Sequence, residues 1–144
     1  MSNAISAKGT LLKVSDGASP PVYNTIAEIR SLSGPTFQAD VLDATVHNTP
    51  SAWRQFISGL LDGGEISMDI NFIPTDATHE AASTGLLYLF QNRVQRNFQL
   101  VFPDTGNTTW TIPGIVTGFE MSADPADILS ASVTIKVNGA PTFS

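Results

Sequence analysis

The chain has 144 residues, a formal net charge of −6 and no cysteine; it can bury a core, has too few cations for general nucleic-acid affinity, and excludes disulfides and thiolate metal sites. Hydrophobic residues make up 42% and charged residues only 14%, where about a quarter charged is usual. That balance suits either an ordinary β domain rich in Ser and Thr or a surface covered in an assembly.

Residues 1–7 carry no pattern and read as a flexible N-terminal segment, with no secretory signal. A first strand is predicted over 8–14, broken by Asp16-Gly17 and Ser19-Pro20-Pro21. A second runs over 22–33, centred on Thr25 to Arg30, and Gly34-Pro35 ends it. A third covers 37–46, with Val41-Leu42 at its middle. The two-residue connection suggests a hairpin-like reversal whose geometry Pro35 leaves open.

Residues 47–64 differ. Trp53, Phe56, Ile57 and Leu60 fall at i, i+3, i+4 and i+7, which fits one apolar helical face. Pro50 can open such a turn and Gly63-Gly64 can close it, but Gly59 weakens it. A long apolar loop with a helical turn is the equal alternative, either interfacial or folded on its own core.

Glu65 to Ile73 is the clearest central strand: Ile66, Met68, Ile70 and Phe72 face one way, Glu65, Ser67, Asp69 and Asn71 the other. Asp76 or Thr78 is the candidate cap of a helix over 79–93. Ala82, Leu86, Leu89, Phe90 and Arg93 mark its inward edge, and Arg93 and Arg96 suit its C-terminal dipole. Strands follow over 97–102 and 108–112, around the turn-rich 103–107.

Two more strands alternate over 115–122 and 129–137, joined by the acidic turn Ala123-Asp124-Pro125-Ala126-Asp127. Ile115, Thr117, Phe119 and Met121 form one row of the first; Leu129, Ala131, Val133, Ile135 and Val137 form the apolar row of the second. Ser130, Ser132 and Thr134 make a small, uncharged second face. The fold class is therefore mainly β: a sandwich or barrel of about seven to eight strands with one flanking α-helix, in a single domain over 1–144. No apolar run approaches the roughly 18 residues of a membrane span.

Chemistry is thinly represented. His47 and His79 stand apart and read as solvent-exposed; a metal site needs several convergent ligands. Glu65 and Asp69 share a strand face, but four residues along a strand is about 13 Å, too far for a tight acid–base dyad. No nucleophile elbow and no phosphate loop occurs. Trp110 reads as core. Trp53, if exposed, is a protein-contact anchor.

The order of several segments resembles the tail tube proteins of long-tailed bacteriophages, the major tail proteins of siphovirus type. These segments are Ile26 to Pro35 with Ala39 to Thr45, Gly59 to Ser67 running into Asn71 to Pro74, Phe98 to Pro103 with Pro113 to Phe119, and Asp127 to Gly139. The resemblance implies a structural subunit, not an enzyme, without cofactor or metal. It implies homo-hexameric rings stacked into a tube through which DNA passes unbound. The partners it implies are other copies of the chain, a tape-measure protein and tail-tip or terminator proteins, with no membrane. The place implied is the virion tail, after synthesis in the host bacterial cytoplasm.

Within that expectation, Glu65, Ser67, Asp69, Asn71, Ser130, Ser132 and Thr134 are candidates for lining the lumen. Glu28, Asp40, Asp43 and Glu120 are further acidic candidates for a lining that repels phosphates. Trp53, Phe56, Ile57 and Leu60 are candidate contacts between rings or subunits, and Asp124 and Asp127 candidate rim residues. Two alternatives stand beside it. One is the tube of a contractile or type VI-like injection machine; the other is a β-sandwich carbohydrate-binding module, which needs Trp53 or Trp110 exposed.

Overall fold

The computed structural model describes residues 4–47, 52–81 and 85–143. Among them are ten strands and one helix: β1 (Leu11–Ser15), β2 (Tyr23–Thr25), β3 (Ile29–Ser33), β4 (Gln38–Asp43), β5 (Phe56–Asp62), β6 (Glu65–Asn71), α1 (Leu86–Asn92), β7 (Gln95–Val101), β8 (Thr109–Ser122), β9 (Ser130–Val137) and β10 (Thr142–Phe143). Eight strands form one antiparallel sheet ordered β2-β1-β7-β8-β9-β6-β3, with β10 paired to β8; β4 and β5 form a separate two-stranded ribbon.

The strand predicted over 22–33 is two strands. Its first part pairs with β1 and its second with β6, at opposite ends of the sheet. The corner between them is fixed by backbone bonds: Ile26 N–H donates to the Leu12 carbonyl and Asn71 N–H to the Glu28 carbonyl, both at 2.9 Å. Glu28 takes φ 57° there, a left-handed turn that period-2 alternation does not reveal. This one segment joins the two ends and rolls the sheet towards a barrel. The hairpin expected between the second and third strands is absent, because β3 pairs with β6 and β4 with β5.

The core lies on the inner face. Leu12 and Val14 meet Ile66, Met68 and Ile70, Phe98 and Leu100, Ile112 and Val116, and Ala131, Val133, Ile135 and Val137, all buried. On β9 the predicted alternation holds throughout. On β8 it does not. Thr117 is an extra residue between the pairs Val116↔Ile135 and Gly118↔Thr134, and a bulge of this kind exchanges the faces. Ile112, Gly114 and Val116 are inward before it, whereas Phe119 packs on the core after it. Ile115, Thr117, Phe119 and Met121 are therefore not one row.

β8 also runs unbroken through Pro113-Gly114, where two strands were expected. Pro113 pairs with Asn97 of β7, and its carbonyl accepts from Asn138 N–H at 2.9 Å. A residue's N–H and C=O point to the same side of a strand, so the missing donor falls on the β9 side, where that ladder ends. Gly114 is needed for clearance: a Cβ there would meet Ile135 Cγ2 at 2.7 Å and Phe98 at 3.3 Å.

The helix is shorter than predicted. It starts after Gly85, without a side-chain cap, and ends at Arg93, which takes φ 54°. Asp76 and Thr78 instead shape the preceding turn: the Asp76 carboxylate accepts from Thr78 N–H at 2.8 Å and from its hydroxyl at 2.6 Å. Leu86 and Leu89 are buried and α1 packs against β8; Phe90 is exposed, and Ala82 lies outside the described residues.

Of the helical face expected over Trp53, Phe56, Ile57 and Leu60, the last three lie on a strand and Trp53 on the bend before it. β5 pairs with β4 from Gln38↔Asp62 to Asp43↔Phe56, with one extra residue in β5 between Leu61 and Ser58. Both faces of a ribbon lie open when no second layer covers it, so the helical spacing of its apolar residues reports no helix. Pro50 lies outside the described residues.

Candidate functional site

All seven residues expected to line a lumen fall on one sheet face. Register places Ser31, Asp69, Ser132 and Glu120 in one row across β3, β6, β9 and β8, and Ser33, Ser67, Thr134 and Gly118 in another. Asn71, Ser130 and Ser122 make a third row, and Glu65 stands opposite Lys136. The inward neighbours Ile66, Met68, Ile70, Ala131, Val133 and Ile135 are the core. The polar face is thus the obligatory reverse of a hydrophobic one.

Asp69 organises this face. Its Oδ1 accepts from the Ser132 hydroxyl at 2.7 Å and its Oδ2 from the Ser31 hydroxyl at 3.0 Å. These bonds, Ser132's first, hold its carboxyl below the usual carboxylate range, aided by the positive charge of Arg30. Lys136 forms an exposed ion pair with Asp62 at 3.4 Å. Asp62 is itself lowered, first by the backbone N–H of Gly64 and then by Lys136. Asn71 is only partly buried on this face, yet its Oδ1 is shut from solvent with no hydrogen-bond partner.

Of the other acidic candidates, Glu120 joins the face. Asp40 and Asp43 belong to the ribbon and Glu28 to the left-handed corner. The face therefore presents Glu65, Asp69 and Glu120 against Lys136, with hydroxyls between them.

The β4–β5 ribbon is the second surface. Trp53 is 82% exposed, Leu60 81% and Leu61 79%, and Phe56, Ile57, Val41 and Leu42 are also exposed. A two-stranded ribbon is marginal alone, and contiguous exposed apolar side chains mark a surface that meets a partner. Trp110, by contrast, is half-buried in a ring cluster with Phe102, Phe143 and Phe37 at centroid distances of 4.9, 5.0 and 5.9 Å.

Asp124 and Asp127 lie on the exposed β8–β9 turn. Asp124 accepts from Ala126 N–H at 3.0 Å and Asp127 from Ile128 N–H at 2.7 Å. Among the described residues no cluster of three or more His, Asp or Glu could hold a metal.

His79 departs from expectation. It is fully buried, with Nε2 2.8 Å from the Ala27 carbonyl and Nδ1 accepting from Ile73 N–H at 3.2 Å. The geometry fixes the neutral tautomer with the proton on Nε2. It clamps the β2–β3 corner to the end of β6, and no local spacing in the sequence marks that role. His47 is exposed.

Comparison with known proteins settles what such a sheet belongs to. Residues 7–144 match the family model described as lambda phage tail tube protein, TTP. The chain belongs to the lambda phage tail tube protein family. Its fold is shared with a chain of the virion of a native gene transfer agent particle, at a TM-score of 0.76 and 22% identity over 98% of this chain and 99% of that one. A chain of the tail of an empty gene transfer agent particle, refined with C6 symmetry, gives 0.75 at 22% identity over 98% and 99%. A chain of the sheath–tube complex of an extracellular contractile injection system gives 0.67 at 12% identity over 100% and 95%. No curated protein matches the chain by sequence.

Proposed function

We propose that this tail tube protein is the repeating subunit of a phage tail tube, assembling as hexameric rings that stack around a channel for DNA. Family membership over residues 7–144 carries this reading, and the C6 symmetry of a tail with the same fold supplies the ring number. The role is structural: a wall with a defined bore, located in the virion tail.

In this reading the Asp69–Ser132 face lines the channel. Its hydroxyls and carboxylates offer DNA little to hold, and Glu65, Asp69 and Glu120 repel phosphates. The edges left open at β2 and β3 are a liability in a free monomer, and ring closure covers them. The ribbon carrying Trp53, Phe56, Ile57 and Leu60 supplies contacts to neighbouring copies, and Asp124 and Asp127 lie at a ring rim. A tape-measure protein fills the bore before ejection, and tip and terminator proteins bound the tube. Synthesis takes place in the host bacterial cytoplasm.

The fold shared with a contractile sheath–tube complex keeps a sheathed tube as the second reading. Co-expression with a candidate sheath separates the two. Electron microscopy of the concentrated protein, alone and with tail-tip components, tests the proposal: rings or tubes support it, and monomers under both conditions overturn it.

A further inference from the structure

Asn138 is the one asparagine of the chain that a glycine follows. It continues β9 past Val137, opposite Pro113 of β8, and both it and Gly139 are exposed. Its own N–H is engaged by the Pro113 carbonyl at 2.9 Å. Among the described residues nothing accepts from Gly139 N–H. Gly139 takes φ 118° and has no side chain to shield its nitrogen. A side-chain amide and an unengaged backbone nitrogen thus stand next to each other in water.

Asparagine is among the thermolabile residues, and the chemistry open to this pair is ring closure. The Gly139 nitrogen gives up its proton to solvent base and attacks Asn138 Cγ. A C–N bond forms, the Cγ–Nδ2 bond breaks, and Nδ2 takes a proton from water and leaves as ammonia. A cyclic succinimide remains. Water then opens one of its two carbonyls, giving an aspartate or an isoaspartate at position 138. Nothing is oxidised or reduced, and water is the only co-reactant.

One contact stands in the way. Asn138 Nδ2 donates to Gln95 Oε1 at 2.8 Å. Gln95 lies on β7, in the row that holds Ile115 and Lys136. Asn138 stands in the next row, with Pro113 and Asn97. The bond therefore draws the amide back along β9 and across β8, whereas Gly139 lies ahead. Reacting atoms must come within about 3–3.5 Å of each other, so the amide has to leave Gln95 before it closes on the Gly139 nitrogen.

We propose that Asn138 is a site of spontaneous deamidation and that Gln95 is the residue that slows it. The product has a carboxylate in place of the amide, and a carboxylate cannot donate to Gln95 Oε1. By strand alternation the new charge falls on the same face as Lys136. In the tube reading above that face lines the channel, and its wall becomes more acidic as the protein ages. The chemistry itself holds whether or not a tube forms.

The test incubates the full-length protein at mildly alkaline pH. Ammonia release is followed, with peptide mapping of position 138 and enzymatic methylation of isoaspartate. Wild type is compared with Gln95→Ala, Gln95→Glu and Asn138→Gln; Gln95 is exposed, so its variants leave the core intact. Conversion at position 138 is expected in the wild type. It runs about threefold faster or more in Gln95→Ala, the scale of one exposed hydrogen bond. Gln95→Glu keeps an acceptor and stays near the wild-type rate, and Asn138→Gln loses the signal. An unmodified Asn138 in both wild type and Gln95→Ala overturns the site. A Gln95→Ala rate no higher than wild type, or a Gln95→Glu rate as high as that of Gln95→Ala, overturns the restraint. Neither result bears on the tube role, which assembly alone decides.

Discussion

Asp69 accepts a hydrogen bond from the Ser132 hydroxyl at 2.7 Å, across the β6–β9 ladder, while its second oxygen accepts from Ser31 of β3. One carboxylate thereby ties three neighbouring strands on the polar side of the sheet. Asp69→Ala removes both bonds without opening the core. Because the site is exposed, the expected loss is about 1 kcal/mol or less, read by urea denaturation of the monomer. Asp69→Asn keeps an acceptor and should lose less. A loss above about 3 kcal/mol would mean that the carboxylate supports the core rather than its surface.

Acid should destabilise the monomer in a defined window. Asp16, Asp43, Asp62, Asp69, Asp76 and Asp104 are all held below the ordinary aspartate range, mainly by hydrogen bonds from nearby backbone N–H groups and hydroxyls. A carboxyl whose folded value is depressed contributes stability above its unfolded value and loses it as pH falls through the folded one. Their contribution should stay flat from neutrality to about pH 5 and drop below about pH 4. Denaturation midpoints followed against pH check this; a rise in stability between pH 4 and pH 3 would contradict it.

His79→Ala leaves the partly buried Ala27 carbonyl and Ile73 N–H without their partner. Each unsatisfied buried group costs about 1–3 kcal/mol, so a loss on the order of 2–5 kcal/mol is expected in equilibrium unfolding. His79→Gln can reach one of the two groups and should recover part of it. An unchanged midpoint for the Ala variant would remove the clamp role.

Much of this architecture was legible in local pattern. The alternations of Glu65–Asn71 and Ser130–Val137 stand as read, and they carry all seven residues expected to line a lumen. What failed did so for nameable reasons. The corner at Glu28 is a left-handed residue between two strands that pair with distant partners, so one strand was read where there are two. The extra residue at Thr117 reverses the faces of β8, and only the register reveals it. The β4–β5 ribbon has no buried side, so its hydrophobic spacing followed no strand period and mimicked a helix. His79 is fixed by Ala27 and Ile73, contacts that no motif announces.

Gly64 should resist substitution. It takes φ 70°, and a Cβ there would run into the Thr36 carbonyl. Gly64→Ala is expected to cost about 1–3 kcal/mol from backbone strain alone. Gly106, around which a Cβ would meet nothing within 4 Å, is the matched control and should tolerate Ala. Thermal melts of the two variants separate the cases; equal shifts would contradict the conformational explanation.

The ribbon should matter for assembly and not for the monomer. Leu60→Ser/Leu61→Ser changes two side chains that are 81% and 79% exposed. Monomer stability should move by less than about 0.5 kcal/mol per site, while tube formation, measured by pelleting, falls sharply. Normal pelleting would release the ribbon from any assembly role.

Cryo-electron microscopy of the assembled protein tests the central claim most directly, by locating the Asp69–Ser132 face relative to the axis. The result expected is a hollow tube of stacked six-fold rings, with Asp69, Ser132 and Thr134 on the channel wall and the β4–β5 ribbon against neighbouring copies. A tube with that polar face turned to the exterior, or a protein that stays monomeric with tail-tip components present, would contradict it.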